Sequence, residues 1–390
     1  MSQRVEALRP QLEALATSIH NQPELAFEEH RTVARLLEPL QRAGFEVVRP
    51  LGGLDTAFRA TRTFGKGGPR MALLAEYDAL PELGHACGHN LICSAAVGAA
   101  ITAAGYLERQ EVDFTLEVVG CPAEEGGGGK IILINAGAFD GVDAALMFHP
   151  SHRTMPVRSS LAATRLTLKF YGKASHAATN PHLGINALDA CIQTFNAINA
   201  LRQHFPDEHR VHGIISHGGT APNVVPDFAE ARFLVRHRRL EQVIELKERV
   251  VRAAEGAAMS VGARVEVDEG MMLADRVNNF PLAQRFAGYL VEQNIELQEP
   301  PTVGGVGSSD FGNLSHVLPA IHPYVKIAPE GTSNHTPAFA KAAGSPEGLA
   351  AMISAAKALA ATTVDLALEP ELLERAKADF ATAVTQPLGS

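Results

Sequence analysis

Apolar side chains recur along this chain with two different periods, and the changes of period divide it into three stretches. Between residues 5 and 20, Leu8, Leu12, Leu15 and Ile19 fall at helical spacing, and Pro23 stops the run. Residues 27–40 repeat the pattern with Val33, Leu36, Leu37 and Leu40, closed by Gly44. Short strands alternating with glycine-rich turns follow, the last over 71–76. The Ala-rich stretch 90–107 predicts a helix packed closely on a sheet. Residues 115–119 predict a strand, 130–136 a short helix and 144–148 another strand. Strands alternating with helices predict an α/β layer built on a largely parallel sheet.

The texture changes near Ser159. Residues 161–170 alternate apolar and polar, the period of a half-exposed antiparallel strand. A helix over 185–201, strands over 211–216 and 228–236, a helix over 240–257 and a strand over 263–267 complete a ferredoxin-like order. From residue 275 the α/β texture returns and ends in two helices, 347–360 and 369–382. The predicted fold class is therefore α/β: a mostly parallel-sheet domain (1–160 and 275–390) interrupted by a smaller α+β ferredoxin-like domain (161–274). There is no internal repeat and no low-complexity tail.

Composition narrows the function classes. A chain of 390 residues is long for one core, which agrees with two domains. With 46% hydrophobic and 20% charged residues it reads as globular. A net charge of −9, 6% aromatics and no Trp give no support to nucleic-acid binding. No apolar run long enough to cross a bilayer is expected, and the polar start Met1-Ser2-Gln3-Arg4 argues against a secretory signal. Four cysteines (Cys87, Cys93, Cys121, Cys191) do not make a disulfide framework in so long a chain. A cytoplasmic location is the simplest expectation, since a reducing compartment keeps Cys87 free as a ligand.

The residues that carry chemistry follow strand ends. Past residues 71–76 comes His85-Ala86-Cys87-Gly88-His89-Asn90. One glycine separates a thiol from an imidazole, and it lets the backbone turn so that both point at one spot. Thiolate and neutral imidazole are donors that zinc-like ions favour, although a small buried thiol beside a polar residue is the commoner structural use. After residues 115–119 comes Cys121-Pro122-Ala123-Glu124-Glu125, then four glycines and Lys130. Of two adjacent carboxylates on a turn, one can hold a metal while the other stays free as a general base. A solvated acidic pair before a flexible loop is the structural alternative. Lys130 is followed by Ile131, not Ser or Thr, which sets a phosphate loop aside. His149 follows the strand over 144–148. His335 lies in a polar turn, preceded by the donor-rich loop Gly304-Gly305-Val306-Gly307-Ser308-Ser309-Asp310. Asp78 is placed to orient a ligand from behind. Ligands of open α/β sheets gather at the carboxyl ends of strands. Cys87, His89, Glu125, His149 and His335 supply enough donors there for two ions roughly 3.5–4 Å apart.

Eight stretches then carry a family likeness. They are His20-Asn21-Gln22-Pro23-Glu24-Leu25, Glu76-Tyr77-Asp78-Ala79-Leu80-Pro81, the segment around Cys87 and His89, and Pro122-Ala123-Glu124-Glu125. Further on come Gly172-Lys173-Ala174-Ser175-His176-Ala177-Ala178, Gly219-Thr220-Ala221-Pro222-Asn223-Val224-Val225-Pro226, Gly307-Ser308-Ser309-Asp310 and His335-Thr336-Pro337. In these, over nearly its whole length and in the family's order, the chain resembles the co-catalytic metallopeptidases and amidohydrolases. That family includes aminoacylase, glutamate carboxypeptidase, p-aminobenzoyl-glutamate hydrolase and the plant auxin-conjugate hydrolases. The Cys-Gly-His form points to the amidohydrolase branch, and Glu-Tyr-Asp-Ala-Leu-Pro is closest to the p-aminobenzoyl-glutamate hydrolase and mammalian dipeptidase-like members.

The resemblance implies a role for each matching residue. Cys87, His89, Glu125, His149 and His335 would hold two divalent ions, zinc or manganese, and Glu124 would be the general base. The insert would be a lid that also forms a homodimer interface, and His176 would reach the partner's active site to steady an oxyanion. Asn223 and Arg236 would bind the substrate or its carboxylate. The implied reaction is hydrolysis of the amide bond of an N-acyl amino acid, aroyl-glutamate or small dipeptide. A non-catalytic member that binds a ligand or partner is the alternative, and the intact Glu124 speaks against it. Peptidase and acylase preferences are not separated by these residues. Many relatives carry Asp where this chain has Asn90, a change of charge behind the ligands.

Overall fold

The computed structural model describes residues 1–300 and 307–385. Residues 304–306 of the loop before Asp310 lie outside the described residues. The chain divides into two compact units. Unit 1 comprises residues 1–159, 276–300 and 309–385, and unit 2 residues 160–275 with Gly307 and Ser308.

Unit 1 opens with α1 (Ser2–His20), α2 (His30–Arg42), β1 (Glu46–Val48), β2 (Phe58–Phe64), β3 (Arg70–Glu76) and α3 (His89–Leu107). It continues through β4 (Phe114–Cys121), α4 (Gly129–Asn135), β5 (Ala144–Leu146) and β6 (His149–Ser151). Unit 2 is β7 (Ala162–Tyr171), α5 (Ala187–Leu201), β8 (Arg210–His217), β9 (Phe228–His237), α6 (Leu240–Ser260) and β10 (Arg264–Glu269). The chain then returns to unit 1 with α7 (Phe280–Val291), α8 (Phe311–Ser315), β11 (Ala320–Ile321), β12 (Tyr324–Lys326), α9 (Pro337–Ala343), α10 (Pro346–Leu368) and α11 (Pro370–Thr385).

The sheet of unit 1 has the order β1-β2-β4-β3-β5-β11. Its centre is parallel, with β4, β3, β5 and β11 running the same way, but β1 and β2 join antiparallel. The largely parallel sheet expected from the sequence is thus present, with β2 running against the other five strands. Alternate residues of the central strands bury on opposite faces. Leu73, Leu116, Val118 and Leu146 pack with α1, α3 and α10, while Leu74, Val119 and Ala145 join Leu133 of α4 and Phe311 and Leu314 of α8. Burial on both faces makes these strands continuous apolar runs.

Three differences from the sequence expectations have local causes. His149 does not follow directly on a single strand over 144–148. That strand ends at Leu146, and His149 begins β6, which pairs with β12 in a separate two-stranded ribbon. The helix α7 follows Asn279, whose side chain accepts the Leu282 N–H, with Pro281 in the first turn. This cap and proline are start signals that periodicity alone passes over. Finally, α3 and α10 are by length and composition apolar enough to cross a membrane, against the expectation of no such run. In each case most of the apolar window, 83% and 67%, is buried inside the protein. A helix that is apolar all round is what a layer between sheet and outer helices requires.

Unit 2 is an antiparallel sheet of order β10-β7-β9-β8. Helices α5 and α6 cover the face on which Leu166, Leu168, Phe170, Ala231, Phe233 and Val235 are buried. Strand β8 is an edge strand, exposed along nearly its whole length.

Candidate metal centre

Parallel β3, β4 and β5 end at one edge of the unit 1 sheet, and the chain leaving each of them brings polar side chains to that edge. After β3 the chain makes the turn containing Cys87. Gly88, the N-cap of α3, has φ +78°, a conformation that L side chains resist. A Cβ there would also lie 2.8 Å from Pro150 Cγ, so glycine lets the Cys87 and His89 segment sit against the segment carrying His149. Ala123, just ahead of Glu124 and Glu125, and His335 also have positive φ, 57° and 61°. Left-handed non-glycine residues cost about 1–3 kcal/mol and persist where surrounding contacts fix them. Here the Ala123 N–H donates to the buried Glu29 Oε1 (3.0 Å), and the His335 N–H donates to Ala86 O (3.0 Å).

The five candidate ligands and Glu124 come together. One ligand atom from each of Cys87, His89 and His149 lies within 4.8 Å of the others, and the same holds for Cys87, Glu125 and His335 and for His89, Glu124 and Glu125. His335 Nε2 is 3.0 Å from Cys87 Sγ and 3.1 Å from Glu125 Oε1. Two atoms each about 2.0–2.3 Å from a tetrahedral ion stand roughly 3.3–3.7 Å apart, so these contacts, a little shorter, would have to open by a few tenths of an ångström to admit a shared cation. His89 Nδ1 faces the carbonyl oxygen of Asp78 (2.9 Å) and its Oδ1 (3.2 Å). Both are acceptors, so Nδ1 carries the proton and donates. Nε2, buried and without a hydrogen-bond partner, is left as the donor atom for a metal. His149 is oriented the same way, its Nδ1 donating to Pro150 O at 2.7 Å. Asp78 Oδ2 accepts the Glu125 N–H (2.9 Å), so one carboxylate touches two candidate ligands.

The proton affinities of these groups follow from their burial and their neighbours. Burial, with the carboxylates of Glu125, Glu76 and Asp310, pushes Glu124 well above the usual carboxylate range. Burial opposes a charged His89, yet Asp78, Cys87 and Glu76 together hold its ring well above the usual imidazole range. Burial pushes the Cys87 thiol up. Groups that retain protons in this way are those from which a cation would displace them. His149 differs: burial and the neighbouring His89 lower it to about 4, so it is a neutral imidazole at pH 7.

The sequence reading did not single out a buried ion triad beside these donors. Lys130 Nζ lies 2.6 Å from Glu76 Oε1 and 2.6 Å from Asp310 Oδ1, and the Lys130 N–H donates to Asp310 Oδ2 (2.9 Å). All three residues are fully buried. Glu76 Oε2 is 3.7 Å from His89 Nε2, which joins the triad to the candidate ligands. The signal was a charged residue closing an otherwise apolar buried strand, since such a charge needs a buried partner. Asn90 also proves to be structural: its Nδ2 donates to Ala343 O (3.0 Å) and Ala16 O (3.4 Å). An ionised aspartate could make neither bond.

The remaining candidates lie in unit 2. His176 is exposed, and its Nδ1 accepts the backbone N–H groups of Ala178 and Thr179 at 3.3 and 3.1 Å, which leaves the ring proton on Nε2. A bridge between His176 and Val224, with the Ala177 N–H donating to Asn223 O (3.0 Å), sets His176 beside exposed Asn223. Arg236 is half-buried on β9, and burial and Arg165 lower its pKa.

Comparison with known proteins gives the chain its family. Residues 159–260 match the family model described as a peptidase dimerisation domain. The chain is 38% identical over 392 residues to the Xaa-Arg dipeptidase of Mus musculus, covering 97% of this chain and 91% of the relative. It is 31% identical over 466 residues to one of the subunits of p-aminobenzoyl-glutamate hydrolase from Escherichia coli K12, covering 98% and 95%. Among solved structures, a dinuclear metal-binding peptidase of the M20 family from Bacillus subtilis superposes with a TM-score of 0.69 at 23% identity, over 92% of this chain and 99% of that one. Relatives this similar along almost the full length show that this chain belongs to the M20 family of metal-dependent peptidases and amidohydrolases.

Proposed function

We propose that unit 1 hydrolyses the amide bond of a dipeptide or N-acyl amino acid, with Glu124 as general base. The observation that carries this is the placement of Glu124 beside the donor cluster, its Oε2 3.9 Å from His89 Nε2, with a proton affinity raised well above that of an ordinary carboxylate. Cys87, His89, Glu125, His149 and His335 are the residues to hold two divalent ions, zinc or manganese. When bound, such ions make a water acidic and polarise the substrate carbonyl. Glu124 takes the proton of the attacking water as the new C–O bond forms. It then delivers that proton to the leaving nitrogen as the C–N bond breaks. Its raised pKa suits both halves of the transfer. Asp78 keeps His89 in the Nδ1–H tautomer and holds the Glu125 backbone.

The substrate class follows the relatives, which are named for an Xaa-Arg dipeptide and for p-aminobenzoyl-glutamate. Unit 2, on this reading, makes a homodimer, for which the dimerisation-domain match and the exposed β8 edge with Ile214 and Ile215 give support. His176 acts as an oxyanion donor and Asn223 and Arg236 as substrate contacts. A reducing cytoplasm suits a ligand set that includes a free thiol. The decisive experiment is E124Q with metal analysis and turnover of dipeptides and N-acyl amino acids. Two ions per chain should remain while turnover falls by about 10²–10⁴. Unchanged turnover would remove the general-base assignment.

A further inference from the structure

Two buried carboxyls grip the backbone on either side of Glu124. Ahead of it, the Ala123 N–H donates to Glu29 Oε1 at 3.0 Å. Behind it, the Glu125 N–H donates to Asp78 Oδ2 at 2.9 Å. Beyond these the turn closes on itself: the Gly126 N–H donates to Glu124 O (2.8 Å) and the Gly127 N–H to Ala123 O (3.1 Å). Ala123 needs such a hold. Its φ of +57° is disfavoured for any residue with a Cβ and persists only where contacts fix it.

Asp78 already has a part in the site through His89. Glu29 has none, yet it is 0% exposed. It is anchored from elsewhere in unit 1. Glu29 is the N-cap residue of α2, and its carbonyl accepts the Val33 N–H at 3.0 Å, so a helix sets where its side chain points. The segment leading to it is tied to both arms of the site. One residue past Asp78, the Ala79 N–H donates to Glu24 O at 2.8 Å. The Phe27 ring lies on Gly127, where a Cβ would come within 2.7 Å of Phe27 Cε2. Burial pushes the Glu29 carboxyl up to about 7, so an acid at this position weakens the fold at neutral pH. Positions that cost stability in this way are found where they serve a site. We infer that Glu29 is a positioning residue for the general base: by accepting the Ala123 N–H it holds the left-handed turn that places Glu124 beside the donor cluster. The inference rests on the hydrolytic reading of Glu124 and extends it from the side chain to its support. Position 29 then requires an acceptor of the right reach. The carboxamide of glutamine supplies one, and leucine does not.

The test compares E29Q and E29L with the unsubstituted enzyme, all zinc-loaded. Metal content, kcat and KM for alanyl-arginine, and amide hydrogen exchange of the segment 122–128 are measured on each. E29L should lose about 10- to 100-fold in kcat, the size expected when a reacting group is displaced by about 1 Å, with KM and metal content unchanged. Exchange of the segment should rise in E29L. E29Q should keep the kcat, KM and exchange of the unsubstituted enzyme. Four results would overturn the assignment: full kcat in E29L, an equal fall of kcat in E29Q, loss of metal from E29L in step with its rate, or a fall of kcat in E29L with exchange unaltered. Should E29L fail to fold, as its circular dichroism and thermal melt would show, E29D carries the test. Its carboxyl stops one methylene short, so kcat should fall with KM kept, and a kcat equal to that of E29Q counts against the clamp. A lack of turnover by the unsubstituted enzyme would remove the hydrolytic reading, whereas unaltered exchange in E29L would remove the clamp alone.

Discussion

Charge is handled in opposite ways in the two units. In unit 1, Glu76, Lys130 and Asp310 are fully buried and answer one another at hydrogen-bond distance, and the candidate ligands crowd beside them. In unit 2 the pairs lie at the surface: Lys247 with Glu269, Arg249 with Glu245, Arg232 with Glu230. Its functional candidates His176 and Asn223 are exposed as well. Where water is excluded, each charge depends on its neighbours, and removal of one leaves another stranded. Where water is present, screening makes each charge nearly independent. Unit 1 therefore holds a cooperative site, and unit 2 presents separable surface groups.

The sharpest way to break this contrast is at the donors. C87S should cost at least one of the two ions per chain and about 10²-fold or more in turnover, because the thiolate belongs to two of the three donor groups. R236Q should leave the metal content at two. Metal analysis on both proteins checks this, and loss of metal from R236Q would refute the division of labour. Next in size is K130M. It leaves Glu76 and Asp310 facing each other in the interior, and breaking a buried pair in this way costs about 3–5 kcal/mol. Urea unfolding measures it, and a loss below about 1 kcal/mol would show that water reaches the triad.

How much of this was legible in the sequence depends on how local each signal is. Cys87, His89, Glu124, Glu125, His149 and His335 were readable because each stands in a short motif next to a strand end or turn. The Lys130 to Asp310 contact spans 180 residues, and nothing near Lys130 announces its partner. The ferredoxin-like order of unit 2 was legible because half-buried antiparallel strands alternate cleanly. The antiparallel β1 and β2 were not, since pairing direction is fixed by chain connections rather than by side-chain period. That β6 leaves the main sheet after Leu146 has no signal in an apolar run either.

A smaller effect comes from Glu29, buried at the entrance to α2 and hydrogen-bonded to Ala123. Burial pushes its carboxyl from 4.5 up to about 7, with the Asp78 charge adding and a hydrogen bond from Thr56 opposing. The folded protein thus keeps this proton at pH values where the unfolded chain has released it. The stability owed to the neutral acid is complete below about pH 4.5 and is lost as pH rises through 7, a change of about 3 kcal/mol at most. In metal-free protein, E29Q should flatten the decline of the urea midpoint between pH 5 and 8. Parallel curves for the two proteins would mean that Glu29 is ionised throughout.

The smallest effect sets the baseline for the others. Lys247 and Glu269 form the same chemical pair as Lys130 and Glu76, at nearly the same distance, 2.7 against 2.6 Å. They differ in surroundings: the Glu269 side chain is 49% exposed and the Glu76 side chain 1%. Coulomb attraction at the surface is weakened by water, and ordering two long side chains opposes it. K247M should therefore change stability by no more than about 1 kcal/mol. Raising the salt concentration should shrink the K247M effect further and leave that of K130M nearly unchanged, because counter-ions screen only what they can approach. Urea unfolding of both variants at low and high salt measures the pair of differences. Equal losses, or equal salt sensitivity, would mean that burial does not set the strength of charge coupling here, and the cooperative account of the unit 1 site would fall with it.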